Sequence, residues 1–220
     1  MEPELLQKLA EKQITKRELT EEVESDFTLL PVVLAGVSSA RASVRYGCAS
    51  VLVNLSAKHP DRLYQYFGFF VSLLDSKHRI LVWNGMAAIA NLCKADVDAK
   101  FDAVFDKYFD KYYGFLDDEY MVTVANVVGN SARIVQAKPY LASRVTEMLL
   151  DVDKISITPH LTEECTRVII EKTVEAFGEF FDLLSDADKA KVLVFVKKHA
   201  DSSRVSLRKE VQSFLERWSL

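Results

Sequence analysis

The sequence predicts an all-α protein in which about five antiparallel helix pairs are stacked. Apolar residues recur at helical spacing along nearly the whole chain, and strand alternation is nearly absent. A short motif also returns after 37 and then 39 residues, and a period of about 40 residues indicates a repeat architecture. With 7 Gly and 5 Pro in 220 residues, the chain has few turn formers, which favours helix.

The composition predicts a folded domain in a reducing compartment. Hydrophobic residues make up 49% and charged residues 27%, which excludes a disordered chain. No apolar run reaches the roughly 18 residues of a membrane span, and the acidic N-terminus does not resemble a signal peptide. Cys48, Cys93 and Cys165 lie far apart, which predicts free, buried thiols and a cytoplasmic location.

Helical periodicity divides the chain into a cap and a series of repeats. Residues 1–25 are expected to form an N-terminal helical cap, with one helix from Pro3 to about Lys12 and an acidic one at 17–24. The expected helix pairs are 27–57, 61–94, 99–135, 140–178 and 187–218. We therefore predict a single helical-repeat domain over 1–220, with the repeats at 26–218.

The charge is unevenly distributed along the chain. The net charge is −4, which disfavours nucleic acid as a partner. Residues 1–30 carry four basic and eight acidic side chains, whereas residues 187–220 carry eight basic and four acidic. Both ends could be solvated helix faces, or they could be complementary surfaces that meet another molecule.

The second helices of three consecutive pairs align without gaps. The aligned segments are 49–56, Ala-Ser-Val-Leu-Val-Asn-Leu-Ser; 86–93, Met-Ala-Ala-Ile-Ala-Asn-Leu-Cys; and 125–132, Ala-Asn-Val-Val-Gly-Asn-Ser-Ala. They share an asparagine, at Asn54, Asn91 and Asn130. The last pair matches the first at an offset of 163, which places Ser43-Val44-Arg45 over Ser206-Leu207-Arg208.

These motifs resemble the HEAT and armadillo families of helical repeats. The Val-Arg pair with the following Leu residues is similar to the second helix of a HEAT repeat, and the small-x-x-Leu-x-Asn-Leu run to the third helix of an armadillo repeat. The resemblance covers about 26–218 and implies a right-handed α-solenoid, that is, a HEAT/armadillo-like superhelix. Peptide-binding armadillo proteins carry a Trp four residues before the Asn, where this chain has Ser50, Ala87 and Asn126.

The usual catalytic and metal-binding patterns are missing from the sequence. Its glycines are too dispersed for a phosphate loop or a dinucleotide fingerprint, and no nucleophile motif or His-Glu pair is present. His160, Glu164 and Cys165 have a ligand-like spacing in one predicted helix, but no second cluster accompanies them. We therefore expect no catalytic residue, no metal, no cofactor and no enzyme activity.

The repeated asparagines are the candidate partner-binding residues. Asn54, Asn91 and Asn130 are expected at the edge of the core, about 100° from its centre on the helix. Each amide could brace a neighbouring helix or bind an extended peptide backbone. Five residues are expected in the core beside this row: Leu52, Leu55, Ile89, Leu92 and Val128.

Basic residues recur at the turns inside the pairs, for example at Arg45 and Arg208. They could be solvated helix starts with local ion pairs, or a basic edge that meets an acidic partner.

The sequence as a whole predicts a non-enzymatic scaffold that binds another protein, or an extended peptide segment, along its concave face of second helices. Membrane binding is not expected, and the oligomeric state stays open. The two alternatives are a nucleic-acid-binding helical-repeat protein and an enzyme with an unrecognised site.

Overall fold

The structure is a computed structural model that describes residues 3–96 and 108–218, and helices dominate both ranges. Their bounds are α1 Glu4–Ala10, α2 Lys16–Ser25, α3 Leu30–Gly36, α4 Ala42–Lys58, α5 Pro60–Leu63, α6 Phe67–Leu73, α7 Arg79–Leu92, α8 Met121–Ala137, α9 Ala142–Leu150, α10 Glu163–Phe180, α11 Asp186–Lys198 and α12 Val205–Trp218. Residues 108–113 are also helical.

The described ranges contain no β-sheet, and Thr158 and Leu161 form an isolated antiparallel bridge. None of the helices in these ranges is long and apolar enough to cross a membrane. The predicted all-α fold class is therefore confirmed. The first helix of the third predicted pair, within 99–135, lies mostly outside the described residues.

The chain divides into two compact units, Met1–Lys100 and Phe101–Leu220. In the first unit, α3 and α6 pack on the second helices of their own pairs, α4 and α7. Helices α4 and α7 in turn pack on each other, as adjacent second helices do in a stack of pairs. The cap helices α1 and α2 both pack on α4.

In the second unit, α8, α10 and α12 form a row in which each helix packs on the next. The first helices α9 and α11 also pack on each other, so the α9/α10 and α11/α12 pairs are stacked. The irregular stretch that the sequence predicts from Asp151 to Pro159 lies between α9 and α10.

Local sequence signals set where several helices begin. Helix α2 starts with a capping box, in which Thr15 accepts a hydrogen bond from the Glu18 backbone and Glu18 accepts one from the Thr15 backbone. Thr162 caps α10 by accepting a hydrogen bond from the Cys165 backbone, and Ser185 caps α11 by accepting one from the Asp188 backbone.

The core contains the residues that the repeat alignment assigns to it. Leu52, Leu55, Leu92 and Val128 are fully buried, and Ile89 is 2% exposed. The thiols of Cys48 and Cys93 are buried as predicted, whereas Cys165 is half-buried, and none of the three forms a disulfide. The helical phase taken from the sequence is therefore correct in both units.

Candidate functional site

The three repeated asparagines lie on second helices but differ in their surroundings. Asn54 is exposed on α4. Asn91 on α7 is 4% exposed and Asn130 on α8 is 3% exposed. The sequence predicts one common position at the edge of the core, and the structure gives that position different degrees of burial. The partner-binding role of these residues stays a prediction.

Asn91 connects two second helices. Its Nδ2 donates to the hydroxyl oxygen of Ser56 at 3.0 Å and approaches the carbonyl oxygen of Val53 at 3.4 Å, both on α4. The Ser56 hydroxyl itself donates to the Val53 carbonyl at 2.7 Å. This geometry is the helix brace that the sequence offers as the alternative to ligand binding.

Asn130 is bonded within its own helix. Its Oδ1 accepts a hydrogen bond from the guanidinium of Arg133, one turn further along α8. Its Nδ2 is buried and has no acceptor among residues 3–96 and 108–218. A buried amide donor without an acceptor costs about 1–3 kcal/mol.

Asn54 lies in an open groove of about 640 Å³ between α2 and α4, which we call the cap groove. Its lining includes Lys16, Thr20, Ser50, Asn54 and Lys58. The side chain of Asn54 makes no hydrogen bond to any described residue. Its amide is therefore available to a ligand, in contrast to that of Asn91.

The shape of the cap groove follows from its two helices. Helix α2 has 10 residues against 17 in α4, so it covers part of α4. The hydroxyl of Thr20 donates a hydrogen bond to the carbonyl oxygen of Lys16 at 2.8 Å, so its proton is already bonded within α2. The small side chains of Ser50 and Ala57 leave space beside Asn54.

Most charges near the cap groove are compensated. Arg17 pairs with Glu21 at 2.8 Å, and Lys58 pairs with Glu24 at 3.0 Å. The hydrogen bond from Lys58 is the main reason why the pKa of Glu24 is lowered. Lys16 has no carboxylate within ion-pair distance among the described residues, so the groove presents one uncompensated cation.

In the second unit, the second-helix row carries several half-buried glutamates. Glu171 on α10 accepts from Arg204 at 2.5 Å and from the hydroxyl of Ser206 at 2.7 Å. Burial opposes ionisation of Glu171, but these hydrogen bonds outweigh it and lower its pKa. The pKa of Glu210 on α12 is raised, first by burial and then by the charges of Glu175 and Glu171.

The arginines at the turns inside the pairs stabilise the fold. Arg45 donates to the carbonyl oxygens of Ser39 at 2.8 Å and Ala40 at 3.3 Å. Arg208 makes the same two contacts in the last pair, with Ser202 at 2.6 Å and Ser203 at 3.2 Å. The spacing is identical, so the aligned arginines are structural equivalents.

The ligand-like spacing of His160, Glu164 and Cys165 does not produce a cluster. The prediction that they share one helix is wrong, because His160 lies in the turn before α10. Its ring stacks on that of Tyr120, with 4.6 Å between the ring centres. Glu164 is paired with Arg167 and Arg204. Among the described residues, no three His, Cys, Asp or Glu side chains are arranged to hold a metal ion.

No protein-family model matches the chain, and no curated protein sequence matches it. Among solved structures, it is similar to a designed armadillo repeat protein, with 18% identity and a TM-score of 0.64 over 96% of this chain and 90% of the other. The chain has the armadillo-repeat fold. The prediction of a HEAT/armadillo-like all-α solenoid is thereby confirmed.

Two further armadillo structures match with the same TM-score and coverage. Computationally designed armadillo repeat proteins for modular peptide recognition are 19% identical to this chain, with a TM-score of 0.64 over 96% of this chain and 90% of the other. A designed armadillo repeat protein in complex with the peptide (KR)4 is 16% identical, with a TM-score of 0.64 and coverage of 96% and 90%. At these identities the likeness concerns the fold.

Sequence reasoning missed the cap groove as a feature. Residues 1–25 do not align with the repeats, so their sequence does not indicate a position beside α4. One available signal is Thr15-x-x-Glu18 before the apolar Leu19, which is a capping-box pattern and marks the start of the helix that forms one wall.

Proposed function

We propose that this protein is a non-enzymatic scaffold that binds an extended peptide segment of another protein along its second helices. The observation that carries the proposal is the amide of Asn54, which is exposed in the cap groove and makes no hydrogen bond to any described residue. An amide offers two donors and an acceptor, which match the alternating groups of a peptide backbone.

The surroundings of Asn54 support a peptide rather than a small molecule as the ligand. The cap groove is an open channel between two helices, with polar and small side chains along it. Adjacent second helices lie about 10 Å apart, which is about three residues of an extended strand. In this proposal the bound segment runs across the helices, with one backbone group on Asn54.

Asn91 and Asn130 take a different part in the proposal. Their burial and their bonds to Ser56 and Arg133 favour a role in holding the shape of the surface, while Asn54 contacts the ligand. We therefore expect substitution of Asn54 to weaken ligand binding, and substitution of Asn91 or Asn130 to act through the shape of the surface.

The designed proteins with the same fold support the proposal by analogy of architecture. One of them is bound to (KR)4, a basic peptide. The cap groove contains the uncompensated Lys16, so we expect this chain to prefer a neutral or acidic segment there. Because Ser50, Ala87 and Asn126 replace the armadillo Trp, apolar contacts are fewer, and we expect a micromolar dissociation constant.

A selection of peptides tests the proposal with the full chain. Random peptides of about 12 residues, long enough to cross several helices, are selected by mRNA display, and enriched peptides are measured by fluorescence anisotropy. A net hydrogen bond contributes about 0.5–1.5 kcal/mol, so Asn54→Ala should weaken binding about 2- to 10-fold with an unchanged melting temperature. The (KR)4 peptide serves as the charge control.

Gln65→Ala is the control. Gln65 carries an exposed amide between α5 and α6, does not line the cap groove and is not on a second helix, and it donates to the carbonyl of Arg62 at 3.3 Å, so its replacement should leave binding unchanged. If no peptide is enriched, or if Asn54→Ala binds the enriched peptides as the wild type does, the proposal is wrong.

A further inference from the structure

The cap groove is lined by three polar side chains that make no hydrogen bond or ion pair with any described residue. They are those of Lys16, Ser50 and Asn54. Lys16 and Asn54 are exposed, and Ser50 is half-buried. The hydroxyl of Thr20 in the same groove is different, because it donates to the Lys16 carbonyl at 2.8 Å. The groove therefore holds three side chains that can each donate hydrogen bonds to a ligand.

The directions of α2 and α4 decide which of these side chains lie together. Glu24 near the end of α2 pairs with Lys58 at the end of α4, at 3.0 Å. Lys16 and Ser50 each lie eight residues earlier on their own helix, and both line the groove. The two helices therefore run side by side in the same direction. Lys16 and Ser50 belong to one end of the groove, about 12 Å from the Glu24–Lys58 pair.

The two ends of the cap groove differ in charge. The charge of Lys58 is compensated by Glu24. At the other end, Lys16 has no carboxylate within ion-pair distance in the part of the chain that the structure describes. Arg17 follows it in the groove lining and pairs with Glu21 across one turn of α2, with its side chain 88% exposed. Exposed ion pairs are weak, so an anion bound at Lys16 can recruit Arg17 as a second cation.

A phosphate group matches this end of the groove better than a carboxylate does. A phosphorylated serine or threonine carries roughly −1.5 to −2 charges at neutral pH and three strong acceptor oxygens. The ammonium of Lys16 has three donors and no acceptor, and the hydroxyl of Ser50 adds one donor. A side-chain carboxylate brings a single charge and two oxygens, so it would satisfy fewer of these donors and cations.

We propose that the cap groove recognises a phosphoserine or phosphothreonine in the extended segment that it binds, with the phosphate on Lys16 and Ser50. This inference rests on the proposed function, because it takes the backbone of that segment to bond with Asn54. Ser50 lies one turn, about 6 Å, before Asn54 on α4. The phosphate therefore belongs to the residue at Asn54 or to a direct neighbour, with its side chain directed along α4 towards Ser50.

A phosphoserine scan of a peptide enriched by mRNA display tests this inference with the full chain. Each position of the peptide is synthesised in turn with serine, glutamate or phosphoserine, and binding is measured by fluorescence anisotropy. We expect phosphoserine to bind about tenfold more tightly than serine at one position, because hydrogen bonds to charged groups are the stronger ones. Glutamate should lie between the two, and the gain should shrink as salt increases.

Variants of the groove locate the phosphate. In Lys16→Ala the ratio of phosphoserine to serine affinity should fall close to one, and in Ser50→Ala it should fall about 2- to 10-fold. Lys77→Ala is the matched control. Lys77 is also exposed and has no carboxylate within ion-pair distance among the described residues, but it lies in the turn before α7, outside the groove. It should keep the wild-type ratio, and circular dichroism checks that all variants retain their helix content.

The outcomes distinguish the phosphate site from peptide binding itself. Peptides that bind through Asn54 but gain nothing from phosphoserine at any position would refute the phosphate site and leave the proposed function intact. The phosphate site is also wrong if glutamate strengthens binding as much as phosphoserine does, or if Lys77→Ala abolishes the gain as Lys16→Ala does. If no peptide is enriched, both the phosphate site and the proposed function are wrong.

Discussion

At the scale of single residues, the aligned asparagines show how far one repeat position can differ in its chemistry. Asn54 and Asn91 are separated by one repeat, yet the first is exposed and the second is 4% exposed. The difference comes from neighbours rather than from the helices themselves. Asn91 has Ser56 of α4 beside it, whereas Asn54 has the open cap groove.

Asn91→Ala should therefore destabilise the protein, and Asn54→Ala should not. Removing the Asn91 amide leaves buried groups of α4 without their partner, which costs about 1–3 kcal/mol. An exposed residue without internal bonds changes stability by about 0.5 kcal/mol or less. Urea denaturation of both variants measures the difference. Equal losses of unfolding free energy in the two variants would show that the Asn54 and Asn91 amides contribute equally to stability, which would contradict this account.

Glu210→Gln should stabilise the protein at neutral pH. The raised pKa of Glu210, caused by burial and by Glu175 and Glu171, means that the folded protein holds this proton more tightly than the unfolded chain does. Its contribution is fully present below the ordinary pKa of 4.5 and is lost as the pH rises through the folded value. The melting temperature of Glu210→Gln should exceed that of the wild type at pH 7, with the gap closing under acid. An equal gap at every pH would contradict this account.

At the scale of helices, the sequence predicts most of what the structure contains. The cap helices, expected at Pro3 to Lys12 and 17–24, are found at Glu4–Ala10 and Lys16–Ser25. Burial at Leu52 and Leu55 follows from periodicity, since a packed helix must bury one stripe. The sequence alignment relates Arg45 to Arg208. It does not predict their hydrogen bonds to turn carbonyls, because those bonds depend on the conformation of the loop backbone.

The cap groove could not be predicted at this scale for a related reason. Its width depends on where α2 meets α4, and no repeat motif relates α2 to the other helices. Likewise, helical angle places Asn91 at the edge of the core, while its burial depends on the approach of Ser56 from another helix. Local patterns give helix phase, and contacts between helices decide exposure.

Leu55→Ala and Leu92→Ala test the packing of the second-helix row in the first unit. Both side chains are fully buried, on α4 and α7. Each change should cost about 2–5 kcal/mol, through lost transfer free energy and a cavity that the stack cannot fill. Equilibrium unfolding monitored by circular dichroism gives the values. A cost below about 1 kcal/mol would mean that the neighbouring helices collapse into the space.

At the scale of the whole molecule, the stacked helix pairs provide the surface on which the proposed function depends. The chain forms two compact units, each with its own stacked second helices. A single helical-repeat domain over 1–220 stays a prediction, as does the cytoplasmic location. The cap groove, with the exposed amide of Asn54, is the surface to which we assign peptide binding in our proposal.

The most direct test of peptide recognition is an NMR titration of the full protein with a peptide enriched by selection. The account predicts saturable shifts of the Asn54 side-chain amide and of backbone amides in α2, α4 and the adjacent second helix α7, with the Asn91 side-chain amide unmoved. A bound peptide that leaves Asn54 unshifted and perturbs other helices would contradict the assignment of the cap groove as the binding site.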